Sequence, residues 1–172
     1  MVGYGSIGKD IERMLSPFDV ELTRVARTAR AGSDDGPRVY PVSELDSLLP
    51  EAEIAILILP LTEETHGLMG ARQFGLMRQS ALLVNAARGP IVQTDALVEA
   101  LNAGRIRAAL DVTDPEPLPE GHPLWKCPNL YITPHIGGSS PQFMRRALKV
   151  VAAELERYMK GEPLQNVVQA AV

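Results

Sequence analysis

Gly3-Tyr4-Gly5-Ser6-Ile7-Gly8 is the stretch on which the reading of the fold turns. It follows the apolar pair Met1-Val2 and opens a segment in which Ile7, Ile11, Met14 and Leu15 recur at helical spacing. A strand residue, a glycine-rich turn and an amphipathic helix in that order form the context in which such a turn cradles a dinucleotide. Gly3 permits the tight turn, Gly5 lets the backbone approach a pyrophosphate, and Gly8 allows the helix to pack closely. The helix N-terminus, at Ser6 and Ile7, offers free N–H groups and partial positive charge to phosphates. A purely structural tight turn is the competing reading of the hexapeptide taken alone.

Outward from this turn, apolar strands alternate with helices. The first helix stops at Ser16-Pro17, because proline disfavours a helical residue before it. Val20 to Ala26 reads as a strand, and Ser43 as the N-cap of a short helix through Leu49, ended by Pro50. Ile54 to Leu59 is apolar without alternation, which suits a parallel strand covered by helices on both faces. Ala81 to Val84 and Ala108 to Val112 have the same character, and Leu130 to Ile132 is a briefer strand. Between them Thr94 to Ala103 predicts a helix with Leu97, Val98 and Leu101 on one face and Gly104 after its end. Ser140-Pro141 predicts the N-cap and first position of a long helix, about 141–160. Its apolar stripe is Met144, Ala147, Leu148, Val151, Leu155 and Tyr158, and Gly161 closes it. The alternation predicts an α/β doubly wound parallel sheet, a Rossmann-like dinucleotide-binding domain, whose ligands sit beyond the carboxyl ends of the strands.

The residue that decides between cofactors is expected about 20 positions beyond the glycines, where an acid accepts the ribose 2′-hydroxyl of NAD. No acid lies between Leu22 and Ser33; the second strand runs instead into Arg27-Thr28-Ala29-Arg30. Arg27 and Arg30, with Thr28 between them, suit a 2′-phosphate, so NADP is favoured and NAD stays open, as does a reading of both arginines as solvated loop residues.

Composition narrows the remaining classes. The 172 residues are 45% hydrophobic and 22% charged, as in an ordinary globular chain. The net charge of −4 argues against nucleic-acid binding. The single cysteine, Cys127, excludes an internal disulfide and a cysteine-based metal site, and the three histidines lack ligand spacing, so no metal is expected. The longest apolar run is too short to cross a membrane, and no leader is visible, so a cytoplasmic location is expected. Half of the fourteen prolines fall between Pro115 and Pro141, a stiffened stretch able to hold side chains without regular structure.

Three side chains in or beside the strand ends have complementary chemistry. Arg88 follows a buried strand, so its guanidinium can reach the crevice and hold a carboxylate by two hydrogen bonds. His135 follows another strand and can deliver a proton near neutral pH. Glu116, in the proline-rich loop, can bind the second imidazole nitrogen and fix its tautomer. Two of them have a plain alternative: Arg88 as a surface cation, His135 as a structural loop residue. His66, His122, Trp125 and Arg145-Arg146 read as loop, packing or solvated residues.

From Ile54 onward the chain resembles the D-isomer-specific 2-hydroxyacid dehydrogenases. The resemblance rests on Leu59-Pro60-Leu61-Thr62-Glu63-Glu64-Thr65, Val84-Asn85-Ala86-Ala87-Arg88-Gly89-Pro90, Ala109-Leu110-Asp111-Val112, Pro115-Glu116-Pro117-Leu118 and Thr133-Pro134-His135-Ile136-Gly137-Gly138. Within the family it is similar to the glyoxylate/hydroxypyruvate reductase-like branch. The resemblance implies that Arg88 binds and polarises substrate, His135 is the acid/base and Glu116 supports it. It implies that Asp111 faces the nicotinamide amide, and that Pro60, Ala86, Ala87, Gly137 and Gly138 line the cofactor. It further implies a small 2-keto or 2-hydroxy acid substrate and a homodimer.

Against the family pattern, residues 1–172 read as the NAD(P)-binding domain with its return helix and a tail, without the substrate domain that precedes it in relatives. Weak cofactor binding, poor turnover and self-association through uncovered apolar surface are then expected of this chain. The alternative from another class is an NADP-sensing or corepressor-like interaction module on the same fold. The intact Arg88, Glu116 and His135 set argues for descent from a catalyst.

Overall fold

The computed structural model describes residues 1–32, 36–165 and 167. They form two compact units, Met1–His135 and Ile136–Val172. Of the tail read as residues 161–168, Asn166 and Val168 lie outside the described residues.

In the first unit six short strands run parallel: β1 Val25–Ala26, β2 Tyr40–Pro41, β3 Ile54–Leu57, β4 Leu82–Asn85, β5 Arg107–Leu110 and β6 Leu130–Ile132. β1 pairs with β2, and β3 to β6 pair in sequence order. Val2 joins the two groups by parallel bridges to Val25 and to Leu57. The resulting order is β2-β1-Val2-β3-β4-β5-β6. From Val2 the chain winds outward to β2, returns to β3 on the other side, and winds outward again to β6. The direction reverses beside Val2, and the crevice at such a reversal is where doubly wound folds bind ligands.

Among the described residues the α-helices are α1 Ser6–Leu15, α2 Leu45–Leu48, α3 Ala71–Leu76, α4 Thr94–Asn102 and, in the second unit, α5 Phe143–Met159. The first unit carries a core on each side of its sheet. The larger joins Ala55, Leu57, Leu83, Ala108 and Leu110 to Phe74, Leu97, Leu101 and Leu124. The smaller joins Met1, Tyr4 and Val39 to Ile11, Ile56 and Ile58. Side chains such as Phe74, Leu83 and Leu101 are fully buried, and each contributes about 1.5–3 kcal/mol relative to exposure.

Several sequence expectations need correction. The strand expected over Val20 to Ala26 is confined to Val25–Ala26, and Val20 is exposed; these two residues pair with β2, and Val25 also bridges to Val2. Ser43 caps nothing; it lies inside a 3-10 turn, Val42–Glu44, that leads into α2. Ser140 and Pro141 precede α5 by a turn, closed by the Phe143 N–H on Ser140 O at 2.9 Å, and the helix starts at Phe143. β3 is not covered on both faces along its length: Ala55, Leu57 and Leu59 are buried, whereas Ile54 is 54% exposed. Ile7 and Met14 of α1 are exposed too, and only Gly8 of that helix is buried. α5 has no buried residue, and its stripe residues Met144, Leu148, Val151, Leu155 and Tyr158 are all exposed.

Candidate active site

The glycine turn is built around close backbone approach. Gly3 has φ +104°, and a methyl on it would overlap Ile58 O and stand 2.5 Å from Ile58 C and 2.8 Å from Leu59 N. A methyl on Gly8 would stand 2.8 Å from Gly3 O. These two glycines are required by the fold itself. Gly5 differs: it is the exposed N-cap of α1, and a methyl there would have nothing within 4 Å. No side chain caps the first-turn N–H groups at Ser6, Ile7 and Gly8 at this helix end. An open glycine surface under an uncapped helix start fits a pyrophosphate.

Tyr4 roots this turn. Its hydroxyl donates to Glu12, whose other oxygen accepts from Arg24 Nε at 3.0 Å and from the same guanidinium's Nη2. The Arg24 hydrogen bonds hold the Glu12 carboxyl below the usual range. The Glu12 hydrogen bond pushes the Tyr4 hydroxyl up. The guanidiniums of Arg24 and Arg30 lie over the Tyr4 ring, at 5.7 and 5.6 Å from its centre. Arg30 is thus stacked on the glycine turn, and Arg27, Thr28 and Arg30 are all exposed just past β1. On the other side of the crevice, past β3, the Thr62 hydroxyl donates to Glu64 at 2.7 Å and lowers its pKa, with Arg27 adding a smaller pull. Pro60 O accepts from the Thr65 hydroxyl at 2.8 Å, which closes that loop.

Register places the remaining candidates on one edge. Leu57, Asn85, Leu110 and Ile132 sit side by side at the ends of β3 to β6. Ala86, Ala87 and Arg88 follow Asn85, Asp111 follows Leu110, and Thr133 and His135 follow Ile132. Asn85 is 1% exposed, and both halves of its amide grip the loop it begins: Nδ2 donates to Arg88 O at 3.1 Å, and Oδ1 accepts from Ala87 N at 3.0 Å. Arg88 is exposed and donates to Ala87 O at 2.6 Å. Gly89 packs so tightly on Thr113 that a methyl would overlap Thr113 O and stand 2.8 Å from Asp114 N. That contact fastens the Arg88 loop to the loop carrying Glu116.

His135 Nδ1 and Glu116 Oε1 are 2.6 Å apart, a hydrogen bond between groups that remain accessible to solvent. His135 has φ +53°, a left-handed conformation that costs a non-glycine residue about 1–3 kcal/mol and is retained where surrounding structure over-determines it. Its N–H donates to Thr133 O at 3.0 Å, which closes the turn that presents the imidazole. Gly137 and Gly138 belong to the second unit, in a turn closed by the Ser139 N–H on Ile136 O at 2.8 Å.

Sequence reasoning gave no role to Thr133, whose hydroxyl donates to Asp111 Oδ1 at 2.6 Å, and did not weigh the Asn85 amide or the Tyr4–Glu12–Arg24 cluster. A buried polar residue ending an apolar strand was the available signal for Asn85. His122 proves structural: its Nδ1 accepts from Leu124 N at 3.2 Å. Among the described residues no group of three or more His, Cys, Asp or Glu could hold a metal, and no helix is long and apolar enough to cross a membrane.

The chain is similar to known proteins in sequence and in fold. The NAD binding domain of the D-isomer specific 2-hydroxyacid dehydrogenases matches residues 1–137. The chain is 44% identical, over its whole length and 53% of the relative's, to glyoxylate/hydroxypyruvate reductase B of Citrobacter koseri. It superposes with TM-score 0.87 at 34% identity on a D-isomer specific 2-hydroxyacid dehydrogenase from Xanthobacter autotrophicus Py2 in complex with NADPH and MES, spanning 98% of this chain and 53% of that one. It superposes with TM-score 0.85 at 29% identity on the NADPH-dependent glyoxylate/hydroxypyruvate reductase of Sinorhizobium meliloti in complex with NADP and sulfate, spanning 98% and 54%. The chain thus spans about half the length of the relatives it matches. With that match over residues 1–137, the chain belongs to the D-isomer specific 2-hydroxyacid dehydrogenase family, by its NAD binding domain.

Proposed function

We propose that this chain is the cofactor-binding part of an NADP-dependent reductase of small 2-keto acids of the glyoxylate or hydroxypyruvate type, working in the cytoplasm as a homodimer. The observation that carries the reading is the His135–Glu116 hydrogen bond on the strand edge that also bears Arg88. When bound, the nicotinamide cofactor supplies or takes the hydride. The Arg88 guanidinium holds the substrate carboxylate and draws electron density from the neighbouring carbonyl. His135, with Nδ1 held by Glu116, delivers a proton from Nε2 to the ketone oxygen as hydride reaches its carbon, and takes the proton back in the reverse reaction. Arg27, Thr28 and Arg30 bind the 2′-phosphate; the absence of an acid from Leu22 to Gly32 supports NADP over NAD. Gly3, Gly5, Ser6, Ile7 and Gly8 receive the pyrophosphate, Asp111 receives the nicotinamide amide, and Pro60, Ala86 and Ala87 line the cofactor. The NADPH and NADP complexes of the two structural relatives and the name of the Citrobacter relative support the same assignment.

The test is steady-state reduction of glyoxylate and hydroxypyruvate with NADPH and with NADH, beside light scattering for the oligomer. The reading expects a higher kcat/KM with NADPH and loss of that preference in Arg27→Ala/Arg30→Ala. An absence of keto acid turnover together with an absence of NADPH binding would refute it.

A further inference from the structure

Thr133 spends all three of its polar groups at the site. Its N–H donates to Leu110 O at 2.9 Å, its carbonyl accepts the His135 N–H at 3.0 Å, and its hydroxyl donates to Asp111 Oδ1 at 2.6 Å. The first bond registers it against β5, the second forms the turn that turns His135 outward, and the third fixes the plane of the Asp111 carboxylate. A hydroxyl bond to a carboxylate at this length is charge-assisted and directional. We infer that Thr133 is a positioning residue for the nicotinamide end of the cofactor: by holding Asp111 it sets where the ring lies relative to His135. The inference rests on the reading of Asp111 as the nicotinamide contact. It goes beyond that reading, because it assigns the orientation of that contact to a side chain that itself need not touch cofactor or substrate.

Thr133→Val keeps the shape and the backbone bonds and removes only the hydroxyl. The expected result is a separation between two ligands titrated onto this same chain. NADPH affinity falls about three- to tenfold, a fraction of what a lost hydrogen bond to a charged group carries directly. Affinity for 2′-phospho-ADP-ribose, which has the adenosine, both bridging phosphates and the 2′-phosphate but no nicotinamide, stays as in the unsubstituted chain. Thr133→Ser restores NADPH binding, and adding Thr133→Val to Asp111→Ala weakens NADPH no further than Asp111→Ala does by itself. Equal NADPH affinity in Thr133→Val and the unsubstituted chain overturns the inference while leaving the reductase reading standing. Parallel loss for both ligands also overturns it, since that marks a general structural effect. If Asp111→Ala leaves NADPH binding intact, the placement of Asp111 falls and the inference with it. An unsubstituted chain that binds neither ligand instead removes the reductase reading.

Discussion

Replacing Gly3 and Gly5 of the first turn one at a time should separate what the fold needs from what the ligand needs. Gly3→Ala puts a β-carbon into Ile58 at a residue with φ +104°, so the cost is steric overlap with backbone plus a left-handed alanine. Overpacking of this kind costs about 1–3 kcal/mol and the conformational strain about as much again. Gly5→Ala meets nothing within 4 Å, and Gly5 already has φ −97° and ψ −154°, which alanine adopts freely. Alanine is the poorer N-cap, but it loses less chain entropy on folding, and the two effects, each below about 1 kcal/mol, oppose one another. Stability without ligand should therefore be near that of the unsubstituted chain for Gly5→Ala and far lower for Gly3→Ala. Cofactor reverses the interest: the added methyl occupies the surface the pyrophosphate approaches. At a free NADPH concentration of about 100 times Kd, binding stabilises the folded chain by about 2.7 kcal/mol, and a hundredfold weaker site leaves about 0.4 kcal/mol. For a chain of this size that is a shift in Tm of roughly 5–10 °C reduced to about 1 °C. Thermal unfolding with and without NADPH reads both quantities. A Gly5→Ala chain that NADPH stabilises as fully as the original, or one that unfolds as readily as Gly3→Ala, would refute the reasoning.

Two further outcomes follow from the side-chain geometry. Glu116→Gln keeps the size of the group at 2.6 Å from His135 Nδ1 but removes its charge, so kcat for keto acid reduction in the intact enzyme should fall about 10–100-fold, with KM for the keto acid little changed, in stopped-flow or steady-state assays. Glu12→Gln breaks the Tyr4–Glu12–Arg24 cluster and should cost about 1–3 kcal/mol at neutral pH. Because Arg24 depresses the Glu12 pKa below 4.5, the stabilisation is present above that value and lost as pH falls through the depressed one; the gap between variant and original in urea unfolding should close in acid.

The sequence was most legible where regular pattern and chemistry coincide. Apolar runs marked β3 to β6, and the residues just after β4, β5 and β6 proved to be the edge on which Arg88, Asp111 and His135 stand. It was least legible where a short segment is fixed by partners far along the chain. Val20 has the β-branched character of a strand, yet Val25 is the residue that finds a partner, because its neighbours in the sheet are Val2 and Tyr40. Ser140-Pro141 has the chemistry of a helix start, but the backbone makes one turn before Phe143 begins the helix. Uniform apolarity of β3 predicts cover on both faces, whereas only burial in three dimensions separates Leu57 from Ile54. The Glu116–His135 pairing could be expected from chemistry, but the left-handed backbone of His135 could not, since such a φ is uncommon for any residue but glycine, even though histidine adopts it more often than most.

How the site keeps its shape follows from the same bonds. The loops along this edge have little regular structure of their own, and loops held only by their ends would not keep side chains within the tolerance that the proposed chemistry needs, where about 1 Å of misplacement costs on the order of a hundredfold in rate. Here each loop is tied to the next. Asn85 is sealed in the core and can satisfy its amide only by holding Ala87 and Arg88 in their present turn. Gly89 rests on Thr113, and the carbonyl of Asp114 accepts from the Thr94 hydroxyl at the start of α4, 2.9 Å away. Glu116 therefore hangs from a helix and from the Arg88 loop at once, and it reaches His135 by one bond. Because a side chain at Gly89 would part the first two loops, and loss of the Asn85 amide would release the first, either change far from the imidazole moves the imidazole's partner. The rigidity of this edge is thus a property of the chain of contacts from β4 to β6, and single residues contribute to it chiefly through the neighbour they hold.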